Sequence, residues 1–266
     1  MWVRRTELRG LLKLGVYNIR IDAPEANGIL PAHAKNVRLE NIYGDRIYYH
    51  HIDIVSSKNV VVDGYSATRS GEGNSNAPIQ FDNQTAGTTS NRIWEGDCST
   101  LVATDGTPTR NGTLRNFTID RVSCIDNARG ISLGQAMDGR RELSISNVTI
   151  RTTDNDLASG SGLYASGFDG AEISNVSIEG SFTNTVVCDD MDDLKMSNVS
   201  ARVAIDQAFC FRKNADATLT TVHAEDCGRA AIYPGTDSSI AYGGLTLDNV
   251  GTEVVIDGEI REWKMS

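Results

Sequence analysis

A short strand motif recurs along almost the whole chain, and it limits the possible folds more than any other feature. The motif alternates apolar and polar residues, and several copies end in Asn-Val. Its eight copies lie at 36–42, 59–65, 116–122, 142–148, 170–176, 193–199, 216–222 and 245–250. The last apolar residues of successive copies are 23, 57, 26, 28, 23, 23 and 28 residues apart. The sequence therefore predicts a repeat protein with a unit of about 23 residues plus loop insertions.

Each repeat carries a second apolar stretch shortly after the first. These stretches lie at 51–55, 78–82, 130–134, 162–166, 185–189, 208–212, 231–235 and 253–258. Two or three short strands cannot bury a face alone, so the units have to stack about 4.8 Å apart around one shared core. Neither a leucine-rich repeat nor a propeller of four-stranded blades fits the pattern. We predict an all-β, single-domain, right-handed parallel β-helix of about 8–10 coils, because parallel crossovers are overwhelmingly right-handed.

An asparagine precedes the last apolar residue in five copies of the motif. The five are Asn41, Asn147, Asn175, Asn198 and Asn249. At this position the chain leaves one strand and turns, so the side-chain amides of stacked coils can bond to one another. We therefore predict an asparagine ladder along one corner of the coil.

The ends and one long interruption define the predicted domain organisation. Residues 1–14 are predicted to form an N-terminal cap with a short amphipathic helix over 5–14, and residues 15–258 to form the β-helix. Residues 259–266 would form a C-terminal tail with Trp263 as a lid. The polar, Gly- and Thr-rich segment at about 84–113 is predicted to be a long loop, and such loops on rigid scaffolds usually have a role.

Composition excludes several classes of function. The formal net charge is -10 and no basic run is present, which argues against nucleic-acid binding. No apolar run approaches the roughly 20 residues that a membrane span needs. The five cysteines are widely spaced without a CxxC, so we expect buried free thiols instead of a disulfide framework or a zinc site. No export signal follows the N-terminus, so secretion by the usual route is not expected.

The repeat architecture resembles the pectin-lyase-like right-handed β-helix superfamily. The similarity covers residues 15–258, and the local sequences HHIDIVSSKNVVVDGYS and APIQFDNQ, at 50–66 and 77–84, resemble paired coils of its polysaccharide-acting members. The superfamily includes polysaccharide lyases, hydrolases, sugar epimerases and viral tailspikes. The resemblance implies a surface that binds or cleaves a polysaccharide. The polygalacturonase motifs are not reproduced in order, since no Gly-His-Gly is present.

Strand alternation predicts a polar patch on two adjacent coils. If Ile52 and Ile79 point inward, then His51, Asp53, Gln80 and Asp82 point outward together. Asp53 and Asp82 could form the carboxylate pair of a glycoside hydrolase, for which separations of about 5 to 9.5 Å are used. His51 could carry a proton near neutral pH. A sugar-binding patch without chemistry and an ordinary solvated sheet face remain alternatives.

Four side chains, one of them in this patch, are predicted to contact the sugar. They are Gln80, Asn83, Trp94 and Tyr164. Aromatic faces stack on sugar rings, although Trp94 could equally anchor its loop to the coil.

A dense acidic run offers a candidate metal site. Asp189, Asp190, Asp192 and Asp193 supply the carboxylate oxygens that calcium prefers. The resemblance adds that lyases of this superfamily often use calcium to neutralise a uronate. A solvated acidic turn is the alternative, so no cofactor is required by the sequence.

Three functions follow as expectations. The first is a glycan-processing enzyme, either a polysaccharide lyase or a glycoside hydrolase, which would be extracellular. The second is a virion component such as a tailspike or tail fibre, which would form homotrimers, contact other virion proteins and bind a surface polysaccharide. The third is a purely structural coil. The missing export signal and the small size favour the virion setting.

Overall fold

The computed structural model of the protein describes most of the repeat region. The described residues are 6–9, 13–22, 28–32, 34–46, 50–55, 57–69, 77–82, 115–133, 140–153, 158, 160–213, 215–252, 255–256 and 259–260.

The strands alternate along the chain between two parallel sheets. The nine-stranded sheet contains β1 (Thr6–Arg9), β3 (Ile29–Ala32), β5 (Ile52–Val55), β7 (Ile79–Asp82), β9 (Ile131–Leu133), β11 (Ser161–Ser166), β13 (Asn184–Asp189), β15 (Gln207–Arg212) and β17 (Ala230–Pro234). The ten-stranded sheet contains β2 (Leu14–Asp22), β4 (Lys35–Asp45), β6 (Lys58–Thr68), β8 (Arg115–Ile125), β10 (Arg140–Arg151), β12 (Phe168–Glu179), β14 (Leu194–Arg202), β16 (Asp216–Cys227), β18 (Ser239–Gly243) and β19 (Thr246–Val250). A short antiparallel pair, β20 (Val255–Ile256) and β21 (Glu259–Ile260), follows.

Strands of successive coils pair in parallel, and each coil contributes one strand to each sheet, except that β18 and β19 both pair with β16 at the end of the ten-stranded sheet. Val199 pairs with Val176 of the preceding coil and with Val222 of the following coil, at the predicted spacing of 23 residues. No helix occurs among the described residues. The predicted all-β parallel solenoid is therefore confirmed.

The core is one continuous column of inward rows. One row of the ten-stranded sheet runs through Leu39, Val62, Ile119, Ile145, Ile173, Met196 and Leu219. All of these residues belong to a single buried apolar cluster that also includes the inward residues of the nine-stranded sheet. Stacking is what buries these residues, because no coil has enough apolar surface to do so alone.

One corner of the solenoid carries the predicted asparagine ladder. Asn41 and Asn198 have φ of 51° and 53°, in the left-handed region that Asn tolerates better than most residues. Asn41 donates from Nδ2 to Oδ1 of Asn18 at 3.0 Å, and Asn198 donates to Asn175 at 2.9 Å. Asn175 donates in turn to Asn147 at 3.3 Å. The ladder is confirmed at these four predicted positions.

The last predicted repeat is aligned differently in the structure. Val250 pairs with Cys227 instead of lying beside Val222, and Asn249 donates to Oδ1 of Asp226 at 2.6 Å. Asn249 therefore stacks on Asp226, and the prediction that it extends the asparagine ladder is wrong. The reason is that the last coil keeps the 23-residue spacing, whereas the sequence motif suggested 28.

The predicted N-terminal helix is wrong. Thr6–Arg9 is a strand that pairs in parallel with Ile29–Ala32, and Leu14–Asp22 already forms the first strand of the other sheet. The leucine spacing of this segment fits a helix locally, but pairing with the sheet edge decides its conformation. Most of the C-terminal tail, including Trp263, and the predicted loop at about 84–113 lie outside the described residues.

Four cysteines are buried free thiols, as predicted. They are Cys124, Cys188, Cys210 and Cys227, and Cys98 lies outside the described residues. Within the described ranges, no helix is long and apolar enough to cross a membrane.

Candidate functional site

The outer face of the nine-stranded sheet carries one row of side chains along the solenoid. The row contains Asp53, Gln80, Ser132, Tyr164, Val187, Cys210 and Tyr233, which are partners in register. Their neighbours along the strands, such as Leu163 and Ala165, belong to the core. Because side chains alternate between faces, the row points outward. Even so, Val187 and Cys210 are each only 3% exposed, so this outer face is recessed.

The structure brings together part of the predicted polar patch. Asp53 lies beside Gln80 on the neighbouring strand, and Asp82 pairs with Val55, two residues further along. The Cα atoms of Asp53 and Asp82 are therefore about 8 Å apart by strand geometry. Asp53 is only 8% exposed and Gln80 is half-buried. For Asp82 the structure describes the backbone position.

His51 does not belong to this patch, and the prediction that it points outward is wrong. Its side chain is completely buried, and its Nδ1 forms a hydrogen bond with the hydroxyl of Tyr65. His51 precedes β5 at a corner, where strand alternation no longer fixes the direction of a side chain. Burial lowers the pKa of His51 to about 3, so the imidazole is neutral at physiological pH.

A groove of about 340 Å³ lies further along the same face, around Tyr164. Its walls come from strands β9, β11, β13 and β15 and from the turns between them. The lining includes Arg129, Ser132, Tyr164, Asn184, Val187 and Arg212. The groove thus combines an aromatic ring with hydroxyl, amide and guanidinium groups, which is the mixture of apolar and polar surface that ligand sites use. The structure therefore places the predicted contact residue Tyr164 at a site with room for a ligand.

A buried carboxylate supports one wall of the groove. Asp189 is 1% exposed and accepts hydrogen bonds from Arg212, at 2.7 Å from Nε and 3.0 Å from Nη2. Lys213 Nζ lies 3.4 Å from the same carboxylate, and the Tyr164 hydroxyl donates to it at 3.4 Å. Pairing with Asp189 raises the pKa of Arg212 and holds its guanidinium at the groove.

These contacts require a correction of the predicted metal site. The carboxylate of Asp189 already binds two cations of the next coil, whereas Asp190, Asp192 and Asp193 are exposed. Asp190 and Asp193 have φ of 52° and 49°, which turns successive side chains in different directions. In the part of the chain that the structure describes, no group of three or more potential ligands could hold a metal ion. The four aspartates therefore do not form the calcium site predicted from the sequence.

Comparisons with known proteins show a shared fold. No protein-family model matches the sequence, and no curated protein matches it. The structure is similar to PfbA, a surface adhesin of Streptococcus pneumoniae, with a TM-score of 0.51 at 12% identity, over 96% of this chain and 72% of the adhesin chain. The catalytic unit of a GH87 α-1,3-glucanase from Streptomyces thermodiastaticus gives a TM-score of 0.32 at 10% identity, over 90% of this chain and 50% of the glucanase chain.

Sequence reasoning missed most of the groove. Arg129 and Asn184 lie before or at the start of strands, and Arg212 ends β15, so none belongs to the alternating centre of a motif. Alignment of the second apolar stretches would have found Ser132 and Val187, because both are register partners of Tyr164. The predicted contact residues Asn83 and Trp94 lie outside the described residues.

Proposed function

We propose that the recessed outer face of the nine-stranded sheet binds a polysaccharide chain, with the groove around Tyr164 as the main contact. The observation that carries this proposal is the groove itself, where an aromatic ring lies among hydroxyl, amide and guanidinium groups. Sugar rings offer an apolar face for stacking and hydroxyls for hydrogen bonds, and this lining supplies partners for both.

The shape of the face favours a polymer over a small molecule. The outward row extends over seven strands of the sheet, and the groove opens onto it. A chain of sugars can contact successive coils, which present side chains at equivalent positions about 4.8 Å apart. A surface adhesin shares the fold, so adhesion is one use of this architecture. The virion setting, the trimer and the extracellular enzyme stay predictions from the sequence.

Replacement of Tyr164 tests the binding proposal. We expect Tyr164→Ala to weaken the binding of any glycan that a glycan array identifies by about tenfold or more, since stacking and burial of a ring contribute at least about 1.4 kcal/mol. Isothermal titration calorimetry measures the change. Tyr17→Ala is the matched control, because Tyr17 is 48% exposed on the other sheet. Equal binding by wild type and Tyr164→Ala would rule out the groove as the binding surface.

Cleavage is a second candidate function, favoured by the register of Asp53 and Asp82. Their diagonal placement on adjacent strands, about 8 Å between Cα atoms, is compatible with the separations of about 6.5–9.5 Å between carboxyl groups in inverting glycosidases. The protein would then hydrolyse the chain that the neighbouring groove holds.

An activity assay with two variants tests this candidate. We expect wild type to produce new reducing ends from a bound polysaccharide. Asp53→Asn and Asp82→Asn should each abolish the product while binding persists, because the general acid or base is removed. Asp63→Asn, on the other sheet, serves as the control. Full activity of either site variant would eliminate this pair.

A further inference from the structure

We propose that the Tyr164 groove selects an anionic sugar, and that the guanidinium of Arg129 binds its carboxylate or sulfate group. This inference rests on the proposed function, because it names the class of sugar that the same groove would take.

Arg129 has a buried donor without an acceptor in the described part of the chain. Its Nε is buried, and no hydrogen-bond acceptor for it occurs among the residues that the structure describes. This differs from Arg212, whose Nε donates to Asp189 at 2.7 Å. Buried polar groups in proteins almost always have a partner, so an unused donor in a groove wall indicates that the partner comes from a ligand.

The backbone at Gly160 makes room for this guanidinium. A Cβ atom at Gly160 would lie 2.9 Å from Nε of Arg129 and 3.0 Å from its Cζ, so the guanidinium rests against a position without a side chain. Gly160 also has φ of 62°, a conformation in which glycine is favoured. Any larger residue would push the guanidinium away from its position in the groove wall.

The charges around the groove favour an anion. Arg129 and Arg212 both line it, and no acidic side chain is found among its described lining residues. The carboxylate of Asp189 pairs with both Arg212 and Lys213. These three side chains together contribute two positive charges and one negative charge. The whole chain has a formal net charge of -10, which makes a locally positive recess distinctive. Carboxylates and sulfates match the planar fork of a guanidinium, whereas a neutral sugar hydroxyl uses one donor at a time.

The rest of the lining favours a sugar as the carrier of this anion. Ser132 and Asn184 provide a hydroxyl and an amide within the same groove, and Tyr164 provides a ring. A phosphate on a nucleic acid would require clustered cations along the surface, and the chain has no basic run.

Two pairs of polymers, each a charged polysaccharide and a neutral counterpart, test whether binding depends on the anionic group. The first pair is hyaluronan and carboxyl-reduced hyaluronan, and the second is dextran sulfate and dextran. Binding of each polymer to the full chain is measured by calorimetry at low and at high salt. We expect at least one charged polymer to bind tenfold or more tightly than its neutral counterpart, with a preference that weakens as salt rises. A response to hyaluronan alone identifies a carboxylate, and a response to dextran sulfate alone identifies a sulfate.

Variants of Arg129 assign the preference to this residue. Arg129→Gln should reduce the affinity for the charged polymer by about 10- to 100-fold, because hydrogen bonds to charged groups are lost. Arg129→Lys should recover part of this loss, since it keeps the charge without the fork. Arg38→Gln changes the net charge equally but lies on the other sheet, and should bind like wild type.

Several results would overturn the inference. These are a charged polymer that binds no better than its neutral partner, a preference that survives in Arg129→Gln, and failure of both charged polymers to bind. If a neutral glycan bound the groove and was lost in Tyr164→Ala, only the anion preference would be refuted. If Tyr164→Ala affected the binding of no glycan, the proposed function itself would be refuted.

Discussion

Gly130→Ala is expected to destabilise the protein by about 3 kcal/mol or more, the upper end of the cost of overpacking a core. A Cβ atom at Gly130 would lie 2.1 Å from the carbonyl oxygen of Gly162 and 2.5 Å from Cδ1 of Ile150. The first contact is with backbone, which a rotamer change cannot relieve. Urea denaturation followed by circular dichroism would measure the difference in the free energy of unfolding.

Gly243→Ala is the matched control for this prediction. A Cβ atom there meets no atom of the described residues within 4 Å, and φ lies outside the left-handed region. Because alanine restricts the unfolded chain more than glycine does, the change should be neutral or stabilise by up to about 1 kcal/mol. Equal stability of Gly130→Ala and Gly243→Ala would mean that the coils can separate locally to accept a methyl group.

The same position in successive coils shows how the core adjusts to the side chain opposite. A Cβ atom at Gly162 would lie 2.5 Å from Cγ2 of Ile178. In the next coil, Thr185 and Ala201 occupy the corresponding positions. One coil therefore packs Gly162 against the large Ile178. The next coil has the larger Thr185 where the opposite residue, Ala201, is small. The sequence shows the glycine of such a coil, but it does not show which residue of the other sheet packs against that glycine.

The repeat made the fold predictable, because every coil has to place apolar residues at the same inward positions. Val176, Val199 and Val222 could be aligned without coordinates for that reason, and so could the asparagines beside Val176 and Val199. The prediction depended on periodicity, and periodicity is a property of the strands.

The corners and ends could not be predicted in the same way. His51 turns inward because it stands at a corner, where the two-residue period of a strand does not apply. Asp190 and Asp193 diverge because both adopt positive φ, although the sequence shows only a run of acids. Thr6–Arg9 forms a strand because another coil lies beside it. In each case a corner position, a contact with another coil or a special backbone conformation decided the outcome.

One residue could have been noticed in the sequence. Tyr65 stands where most other copies of the motif have Val or Ile, and its hydroxyl contacts His51. A polar atom in an otherwise apolar column requires a partner nearby. The exception at Tyr65 thus indicated a buried polar residue on the same coil.

Loss of stability at mildly acidic pH is the second large effect that we expect, and it comes from His51. Burial lowers the pKa of His51 from 6.5 to about 3 in the folded protein. Between these two values the unfolded chain binds the proton and the folded protein does not, so stability falls as the pH falls below about 6.5. The slope is about 1.4 kcal/mol per pH unit, which amounts to about 2–3 kcal/mol between pH 6.5 and 4.5.

His51→Gln should flatten this pH dependence. Glutamine cannot be protonated in this range but can still bond to the hydroxyl of Tyr65, so the variant should lose little stability at pH 7 and should gain relative to wild type at pH 4.5. The free energy of unfolding, measured by urea denaturation at half-unit pH steps, gives both curves. Protonation of Asp45 does not affect the comparison of these two curves. Burial raises the pKa of its carboxyl, but hydrogen bonds from Thr68 and Arg69 outweigh this effect and hold the pKa below the usual 3.8.

Tyr65→Phe separates burial of the imidazole from its hydrogen bond. Burial is the main cause of the low pKa of His51, so this variant should keep the steep pH dependence while losing about 1 kcal/mol at every pH for the missing bond.

Parallel curves for wild type and His51→Gln would contradict the His51 prediction. They would show that the imidazole gains a proton without unfolding the coil, and that water reaches this corner.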